Sequence, residues 1–349
     1  MKAAIVKSDS NIEIKNMIKP SLGPDDILVK MHACGICGSD VEKVFGEYGQ
    51  ASMKLGHEPA GIITQVGQEV SNFVVGDRVF THHHVACYSD DCHECSHSNE
   101  TMCKKYYESN LEPCGLADEY IVPEWNVKHG GVIKIPDSMS FEEAAMIEPL
   151  ACCIRAWNKF TYKNNDSVAI LGIGPTGIMH ALLAKSYGFE KIFCLDINEF
   201  RLNFVDTIFG DGELGTVTIN SLRPHPLEIL KSETADQGVD VVIVSTSSLS
   251  ALKDAVNFVR KGGTIVMFGV PSKGATVDLD MSEIYSKGIT IVNSYAASDT
   301  DTRNAFDLIN SKRINVSQLI THEYNLSDAQ KAFEHAKTGK DAMKIIINN

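Results

Sequence analysis

The sequence predicts an α/β protein in two parts: an antiparallel β domain, then a doubly wound parallel sheet. Residues 1–150 contain short strand-like segments separated by Gly and Pro, whereas strands alternate with helical patterns from Asp166 to Val292. A glycine-rich turn, G-x-G-x-x-G, opens this second pattern between a strand and a helix. With 349 residues, 44% of them hydrophobic, the chain is long enough for two separate cores.

The first part shows three strand patterns: residues 27–31, where apolar and polar residues alternate imperfectly, residues 60–66, and residues 77–81 after the Gly76 turn. Short strands at this spacing are typical of an antiparallel, barrel-like domain. We place this domain at residues 1–155, with a cysteine-rich lobe at about 85–105.

The glycine-rich turn follows the strand pattern 168–171 and leads into a helical pattern at 178–187. Its first glycine permits a tight turn, its second lets the backbone approach a pyrophosphate, and its third lets the helix pack on the strand. The unpaired N–H groups at the helix start then bind the phosphates. An ordinary flavodoxin-like turn is the alternative interpretation. The residues that we assign to dinucleotide binding here are Gly172, Gly174, Pro175, Thr176 and Gly177.

The next strand pattern, 191–195, ends in Asp196, nineteen residues beyond Gly177. A carboxylate at this point accepts hydrogen bonds from the ribose hydroxyls of NAD and repels the 2′-phosphate of NADP. Arg201 could instead turn towards such a phosphate. The sequence therefore predicts NAD as the cofactor, with Asp196 and Arg201 beside its ribose.

Four more strand patterns complete a six-stranded sheet with right-handed crossovers, within a domain at residues 156–293. They lie at 217–219, 239–244, 264–268 and 289–292, and a helical pattern at 251–260 stops before Gly262-Gly263. The tail, 294–349, has two helical patterns and a strand pattern at 343–347. It has no core of its own, so we expect it to pack on the first domain.

The charge and hydropathy patterns exclude several classes of partner. A net charge of −13 disfavours nucleic acid and anionic membranes, because both select basic patches. No apolar run approaches the ~18 residues that span a bilayer, and the N-terminus is typical of a strand rather than of a signal peptide. We therefore expect a cytoplasmic protein whose partner is a small molecule.

Four cysteines fall within seventeen residues, in a polar stretch that offers no hydrophobic core. Four thiolates around a zinc ion would stabilise such a lobe, and a closed site of this kind should not be catalytic. Redox sensing is the alternative, although it would require a thioredoxin-like fold around a C-x-x-C. The predicted structural zinc ligands are Cys87, Cys92, Cys95 and Cys103.

A second set of metal-binding residue types is dispersed along the chain: Cys37 with Ser39, then His57-Glu58, then Glu148. One thiolate, one imidazole and one carboxylate can form a catalytic zinc site with a position left for substrate. Buried cysteine and surface glutamate are the alternative interpretation, since spacing alone would not assemble these residues.

These motifs occur in the order found in a known family. They are Cys37-Gly-Ser-Asp, Gly56-His57-Glu58-x-x-Gly61 with Val66-Gly67, Gly76-Asp77-Arg78-Val79, the four-cysteine lobe, Glu148-Pro149 and the G-x-G-x-x-G turn. The chain resembles the zinc-dependent medium-chain dehydrogenase/reductase superfamily over its whole length. It looks closest to the sorbitol (L-iditol) dehydrogenase branch, because Glu148 stands where liver-type alcohol dehydrogenases carry a cysteine ligand.

The resemblance implies a GroES-like catalytic domain, a Rossmann domain and an active site in the cleft. It implies a catalytic zinc bound by Cys37, His57 and either Glu58 or Glu148, and a structural zinc bound by the four cysteines. Ser39 would accept the substrate proton. The backbone of Gly269 and Val270 would meet the nicotinamide carboxamide. A homo-oligomer, tetramer or dimer, is also implied.

This sequence departs from the family pattern in two places, and one further motif needs an interpretation. The first cysteine gap is four residues instead of two, and Glu42 replaces a histidine on the proton relay of many relatives. The tract His82-His83-His84 could bind metal. We expect it not to, because adjacent residues on an extended chain point to opposite faces.

The resulting prediction is an NAD-dependent oxidoreductase with two zinc ions per chain that oxidises a secondary alcohol, either a polyol or a cyclitol. A threonine-type amino-alcohol 3-dehydrogenase and a simple-alcohol dehydrogenase remain alternatives within enzymes. A zinc- and nucleotide-binding redox sensor without turnover is the alternative outside them.

Overall fold

The protein is described here from a computed structural model, over residues 1–7, 10–46, 54–210 and 215–349. The chain forms two compact units. Met1–Ala151 and Ala296–Asn349 make the first, and Cys152–Tyr295 makes the second. The predicted C-terminal segment therefore shares a unit with the N-terminal part of the chain. Within the described ranges, every helix is too short or too polar to cross a bilayer.

Fifteen strands and thirteen α-helices are assigned in the described parts of the chain. The strands are β1 (Lys2–Val6), β2 (Ile12–Asn16), β3 (Ile27–Gly35), β4 (Pro59–Val66), β5 (Arg78–Thr81), β6 (Glu119–Val122), β7 (Val132–Lys134), β8 (Ser167–Leu171), β9 (Lys191–Asp196), β10 (Thr216–Asn220), β11 (Val239–Val244), β12 (Val259–Met267), β13 (Thr290–Asn293), β14 (Ile320–Asn325) and β15 (Lys344–Asn348). The helices are α1 (Gly38–Phe45), α2 (His93–Ser96), α3 (Lys104–Glu108), α4 (Glu124–Lys128), α5 (Phe141–Ala145), α6 (Ile147–Trp157), α7 (Pro175–Ser186), α8 (Glu199–Phe209), α9 (Pro226–Glu233), α10 (Leu249–Phe258), α11 (Met281–Lys287), α12 (Asp299–Asn310) and α13 (Ala329–Thr338). Short 3₁₀ turns lie at Glu100–Met102, Ser317–Leu319 and Leu326–Asp328.

The main sheet of the first unit has the order β14-β15-β3-β4-β5-β7, with β6 also paired to β3; β1 and β2 form a separate hairpin. The pairings are antiparallel except for β14 with β15, which run parallel. Strand β3 pairs with β4, β6 and β15, so all its residues except Lys30 and His32 are buried. This central position explains why its apolar alternation is imperfect.

The candidate metal ligands of this unit lie just before or just after its strands, or at the start of a helix. Cys37 follows the end of β3, His57 and Glu58 directly precede β4, and His82 follows β5. The first-turn acid of α6 is Glu148. Residues from distant parts of the sequence thus lie at strand and helix ends of one unit.

The sheet of the second unit is entirely parallel, with the order β10-β9-β8-β11-β12-β13. Counted from β8, this is the strand order of the doubly wound dinucleotide-binding fold. Consecutive residues of β8, β9 and β11 are buried, so both faces of the sheet are covered, which accounts for the continuous hydrophobic runs in the sequence. The predicted fold class is confirmed.

One boundary in this unit differs from the prediction. Helix α10 ends at Phe258, and β12 begins at once with Val259 and runs through Gly262-Gly263. The pairing with β11 shifts register between Val239 and Val241, and Gly262 has φ +70°. The glycine pair therefore forms an irregularity inside a strand rather than the end of a helix.

Candidate functional site

Cys37 lies at the junction of β3 and α1, where it is the residue that precedes the first helical turn. Two residues later, the hydroxyl of Ser39 donates to Sγ of Cys37 at 3.4 Å. Ser39 itself is exposed, as is Glu42 one turn further along α1. A thiol is therefore held beside a hydroxyl that faces solvent.

His57 is oriented by a buried carboxylate that sequence reasoning missed. Its Nδ1 lies 3.1 Å from Oδ2 of Asp40, and this oxygen also accepts from the backbone N–H of Gly56 at 3.0 Å. The other oxygen of Asp40, Oδ1, pairs with Nζ of Lys43 at 2.7 Å. Burial opposes ionisation of Asp40, but His57 and Lys43 outweigh it and hold the pKa of this carboxyl well below its usual range. Because a carboxylate only accepts, Nδ1 of His57 carries a proton towards Asp40, so that a His57 that binds a metal would do so through Nε2.

Glu58 forms a buried ion pair with a residue near the C-terminus. Oε2 of Glu58 lies 2.5 Å from Nζ of Lys344, which also donates to the carbonyl of Ile36 at 3.1 Å. Burial favours the neutral amine, but the carboxylate of Glu58 outweighs it and raises the pKa of Lys344. A Cβ at Gly35 would overlap the Glu58 carboxylate, so only glycine fits there.

Cys37, His57 and Glu58 each place one donor atom within 4.8 Å of the others. Oε1 of Glu58 makes no hydrogen bond to the described residues. A thiolate sulfur, an imidazole nitrogen and a carboxylate oxygen form a three-ligand set that leaves a fourth position open, as catalytic zinc requires. The structure thus brings together three of the four predicted catalytic-zinc ligands.

The fourth predicted ligand, Glu148, belongs to a neighbouring group with His82 and His83, whose donor atoms also lie within 4.8 Å of one another. The ring centroids of His57 and His83 are 5.1 Å apart, so the two groups adjoin. The expectation that adjacent histidines point to opposite faces was wrong, because β5 ends at Thr81 and the tract lies outside the strand.

The four lobe cysteines converge, and none of the ten cysteines forms a disulfide. The Sγ atoms of Cys87 and Cys95 are 3.8 Å apart, those of Cys92 and Cys103 are 3.8 Å apart, and those of Cys103 and Cys87 are 3.5 Å apart. Zn–S bonds of about 2.3 Å in a tetrahedron place sulfur atoms about 3.8 Å apart. The longer first gap in the sequence does not prevent this geometry.

In the second unit, the glycine-rich turn has the geometry that its sequence predicts. Gly172 has φ +93°, and a Cβ at Gly177 would overlap the carbonyl oxygen of Gly172. Helix α7 starts at Pro175, three residues before the predicted pattern, with Gly174 preceding it. Side chains would therefore be excluded at the first and third glycines, by backbone conformation and by helix–strand contact.

Asp196 ends β9 and ties this turn to the strand. Its Oδ2 accepts from the N–H of Ile173 at 2.7 Å, and its Oδ1 accepts from Ile197 and Asn198 at 2.8 and 2.9 Å. Nη1 of Arg201 lies 3.5 Å from Oδ2. The carboxylate is thus fixed beside the turn, and Arg201 is directed to it.

The segment after β12 holds the last two predicted cofactor residues. The N–H of Gly269 donates to the carbonyl of Val244 at 2.8 Å, and a Cβ there would overlap the backbone of Thr246. Val270 is 48% exposed, so part of its apolar side chain is accessible to a ligand.

Two profiles of known protein domains match the chain. The alcohol dehydrogenase GroES-like domain matches residues 23–137, and the zinc-binding dehydrogenase domain matches residues 175–311. The first match covers Cys37, His57, Glu58 and the four lobe cysteines. The second covers the glycine-rich turn from Pro175 onward.

Full-length relatives agree with these profiles. Sorbitol dehydrogenase of Bacillus subtilis is 31% identical over 99% of this chain and 97% of its own, and L-threonine 3-dehydrogenase of Colwellia psychrerythraea is 30% identical over 99% and 98%. The solved structure of alcohol dehydrogenase TADH from Thermus sp. ATN1 matches with a TM-score of 0.86 and 26% identity, over 100% of this chain and 99% of that one. With this fold, these ligand sets and these relatives, the chain belongs to the zinc-dependent medium-chain dehydrogenase/reductase superfamily, in the neighbourhood of sorbitol dehydrogenase.

Proposed function

We propose that this protein oxidises a secondary alcohol with vicinal hydroxyls, of the sorbitol or L-iditol type, and transfers the hydride to NAD. The observation that carries the proposal is the three-ligand set of Cys37, His57 and Glu58, beside which Glu148 adds a second carboxylate. A zinc site with two cysteine ligands, in which one carboxylate is replaced by a thiolate, would suit simple alcohols as well.

Zinc supplies Lewis acidity that lowers the pKa of a substrate hydroxyl, and NAD supplies the hydride acceptor. Cys37, His57 and Glu58 would hold the ion directly, with Asp40 fixing the tautomer of His57. The exposed hydroxyl of Ser39 accepts the substrate proton and releases it to solvent. In the second unit, the turn from Gly172 to Gly177 holds the pyrophosphate and Asp196 accepts from the ribose.

The substrate class follows from the ligand chemistry. One thiolate with carboxylates makes a harder site than two thiolates, and a carboxylate is readily displaced by arriving substrate oxygens. A substrate with two adjacent hydroxyls can offer both oxygens to the ion and its surroundings. A site that hydrogen-bonds a polar substrate rejects analogues that leave its buried groups unpaired, so simple alcohols should react poorly.

The test is NADH formation across a substrate panel: sorbitol, a cyclitol such as myo-inositol, L-threonine, 2-butanol and ethanol. We expect kcat/KM to be highest for a vicinal polyol or cyclitol, lower for 2-butanol and lowest for ethanol. Cys37→Ala is the control for contaminating activity, because it should abolish turnover of every substrate while the protein stays folded. Ethanol with the highest kcat/KM would overturn the proposed substrate class.

A threonine-type 3-dehydrogenase is the second candidate, supported by the 30% identity to L-threonine 3-dehydrogenase of Colwellia psychrerythraea. Threonine also carries two polar groups on adjacent carbons. If threonine gives the highest kcat/KM in the panel, the substrate assignment moves to this class, and the proposed zinc and NAD sites remain.

A further inference from the structure

We propose that His322, His335 and Asp341 form a binding position for a borderline divalent cation such as nickel(II) or zinc(II). We call it the C-terminal cation position, and it shares no residue with either predicted zinc site. Each of the three residues places one donor atom within 4.8 Å of the other two. Two imidazoles and one carboxylate are a ligand combination that zinc accepts, and imidazole also suits nickel.

The three residues come from consecutive parts of one strand–helix–strand crossover. His322 lies in β14, His335 lies in the last turn of α13, and Asp341 lies between α13 and β15. Because β14 and β15 run parallel, α13 must return the chain to the end of the sheet at which β14 begins. The end of α13 also favours a cation, because the helix dipole is negative there.

The two imidazoles lie side by side against one carboxylate. The ring centroids of His322 and His335 are 4.3 Å apart, with the planes at 72°. Nε2 of His335 lies 2.8 Å from Oδ1 of Asp341, and this hydrogen bond lowers the pKa of the Asp341 carboxyl. A hydrogen bond with Asp341 accounts for one imidazole, whereas a shared cation accounts for both.

Hydroxyl groups of β14 engage the other nitrogen of each ring. Oγ1 of Thr321 accepts from the N–H of Met343 at 3.0 Å and lies 3.0 Å from Nδ1 of His322. The hydroxyl of Tyr324 lies 2.8 Å from Nδ1 of His335. A histidine that binds metal through one nitrogen commonly directs the other to such a partner, which fixes the ring. The Nε2 atoms are therefore the ones that can bind a cation.

The C-terminal cation position is accessible without opening the fold. The side chain of His335 is 18% exposed and that of Asp341 is 69% exposed. A cation bound there would connect β14, α13 and the segment that leads into β15, whose first residue is Lys344. We therefore expect it to stabilise the crossover that carries the ion pair of Lys344 with Glu58.

The test is a calorimetric titration with nickel(II) of protein that already carries zinc at both predicted zinc sites. We expect one equivalent of nickel to bind, while metal analysis finds the zinc content unchanged. His322→Gln and His335→Gln should each abolish this binding. Tyr324→Phe should weaken it about 10- to 100-fold, because the ring of His335 loses its hydroxyl partner.

His225→Asn is the matched control, and it should bind nickel as the wild type does. Nδ1 of His225 also lies 2.8 Å from a carboxylate oxygen, that of Glu228, but this pair belongs to no three-residue donor group within the described ranges. Asparagine tolerates the left-handed backbone at this position. Nickel should raise the unfolding temperature of the wild type and of this control, and leave that of His335→Gln unchanged.

Absence of a nickel equivalent, or binding that survives in both histidine variants, would overturn the proposal. Binding that is lost in His225→Asn would also overturn it. If the histidine variants do not fold by near-ultraviolet circular dichroism, Asp341→Asn decides, because it changes an exposed side chain: weakened nickel binding supports the position and unchanged binding contradicts it. The readout is metal binding and stability, so it is independent of the alcohol panel.

Discussion

Nζ of Lys344 and Oε2 of Glu58 lie 2.5 Å apart, with side-chain exposures of 3% and 0%. We expect Lys344→Met to lower the free energy of unfolding by about 3–5 kcal/mol, because it leaves a buried carboxylate without its cation. Thermal and denaturant unfolding measure the change in protein whose cysteine lobe is loaded with zinc and whose catalytic position is kept free of metal, because a catalytic zinc would itself offset the charge of Glu58.

Two further variants separate the buried charge from general damage. Lys344→Met/Glu58→Gln should recover much of the loss, because the uncompensated charge is gone. Lys312→Met breaks the pair with Glu143, in which Lys312 is 55% exposed, and should cost less than about 1 kcal/mol. Equal losses in the single and double Lys344 variants would contradict the assignment.

Ser39→Ala should slow alcohol oxidation by about 10²- to 10⁴-fold at neutral pH, because the proton acceptor next to the substrate is removed. The loss should narrow as the pH rises and hydroxide takes over. Ser39→Thr, which keeps a hydroxyl, should retain most activity. The pH profile of kcat/KM checks this, with zinc content and NAD affinity as controls; a loss of the same size at every pH would refute the relay.

Cys95→Ala should remove one of two tightly bound zinc ions and lower the unfolding temperature, because the lobe has little apolar core to replace the metal. Metal analysis and calorimetry measure both effects. Cys194→Ala, in the core of the second unit, is the matched control: it should keep both zinc ions. Cys95→Ala protein with two zinc ions and unchanged unfolding would disprove the structural site.

NAD should be preferred over NADP by at least about tenfold in kcat/KM, since Asp196 repels a 2′-phosphate. Arg201→Ala should leave the NAD value nearly unchanged and reduce whatever NADP turnover remains, because Arg201 is the nearby cation for that phosphate. Initial rates with both cofactors give the ratio. A wild-type preference for NADP would show that Arg201, rather than Asp196, decides the choice.

Asp240 should make the stability of the second unit depend on pH. Its carboxylate accepts from the N–H and hydroxyl of Ser167, both at 2.8 Å, and from Arg260 at 2.6 Å. Burial raises its pKa, but these bonds outweigh burial and the net pKa is lowered. A lowered folded-state pKa gives stability above the unfolded value of about 3.9, lost as pH falls through the folded value.

Asp240→Asn should therefore destabilise the unit at neutral pH by about 1–2 kcal/mol. The difference from wild type should shrink as pH falls below about 3.9. Hydrogen exchange of the β8 and β11 amides reports this locally. A difference that stays constant across that range would show that charge is not responsible.

The features that could be predicted from the sequence are those whose parts lie close together along the chain. The strand–turn–helix around Gly172 needs only local spacing, and the four lobe cysteines fall within seventeen residues. Lys344 could not be predicted, because most of the chain separates it from Glu58 and only the pairing of β15 with β3 brings them together. The common direction of His82 and His83 could not be predicted either, because they lie beyond the last residue of β5, where the alternation of an extended strand no longer applies.

The composition of the first unit, residues 1–151 and 296–349, has a consequence for its biosynthesis. When ribosomes have made the first 151 residues, β3 still lacks β15 and Glu58 still lacks the amine of Lys344. At about 5–20 residues per second, the missing strand arrives roughly ten to forty seconds later. During that interval residues 33–35 of β3 lack the strand that pairs with them along one edge, and the carboxylate of Glu58 lacks its ion-pair partner. The second unit, which is continuous in sequence, can fold first, and the ion pair of Glu58 with Lys344, beside the proposed metal ligands, forms only after β15 has been synthesised.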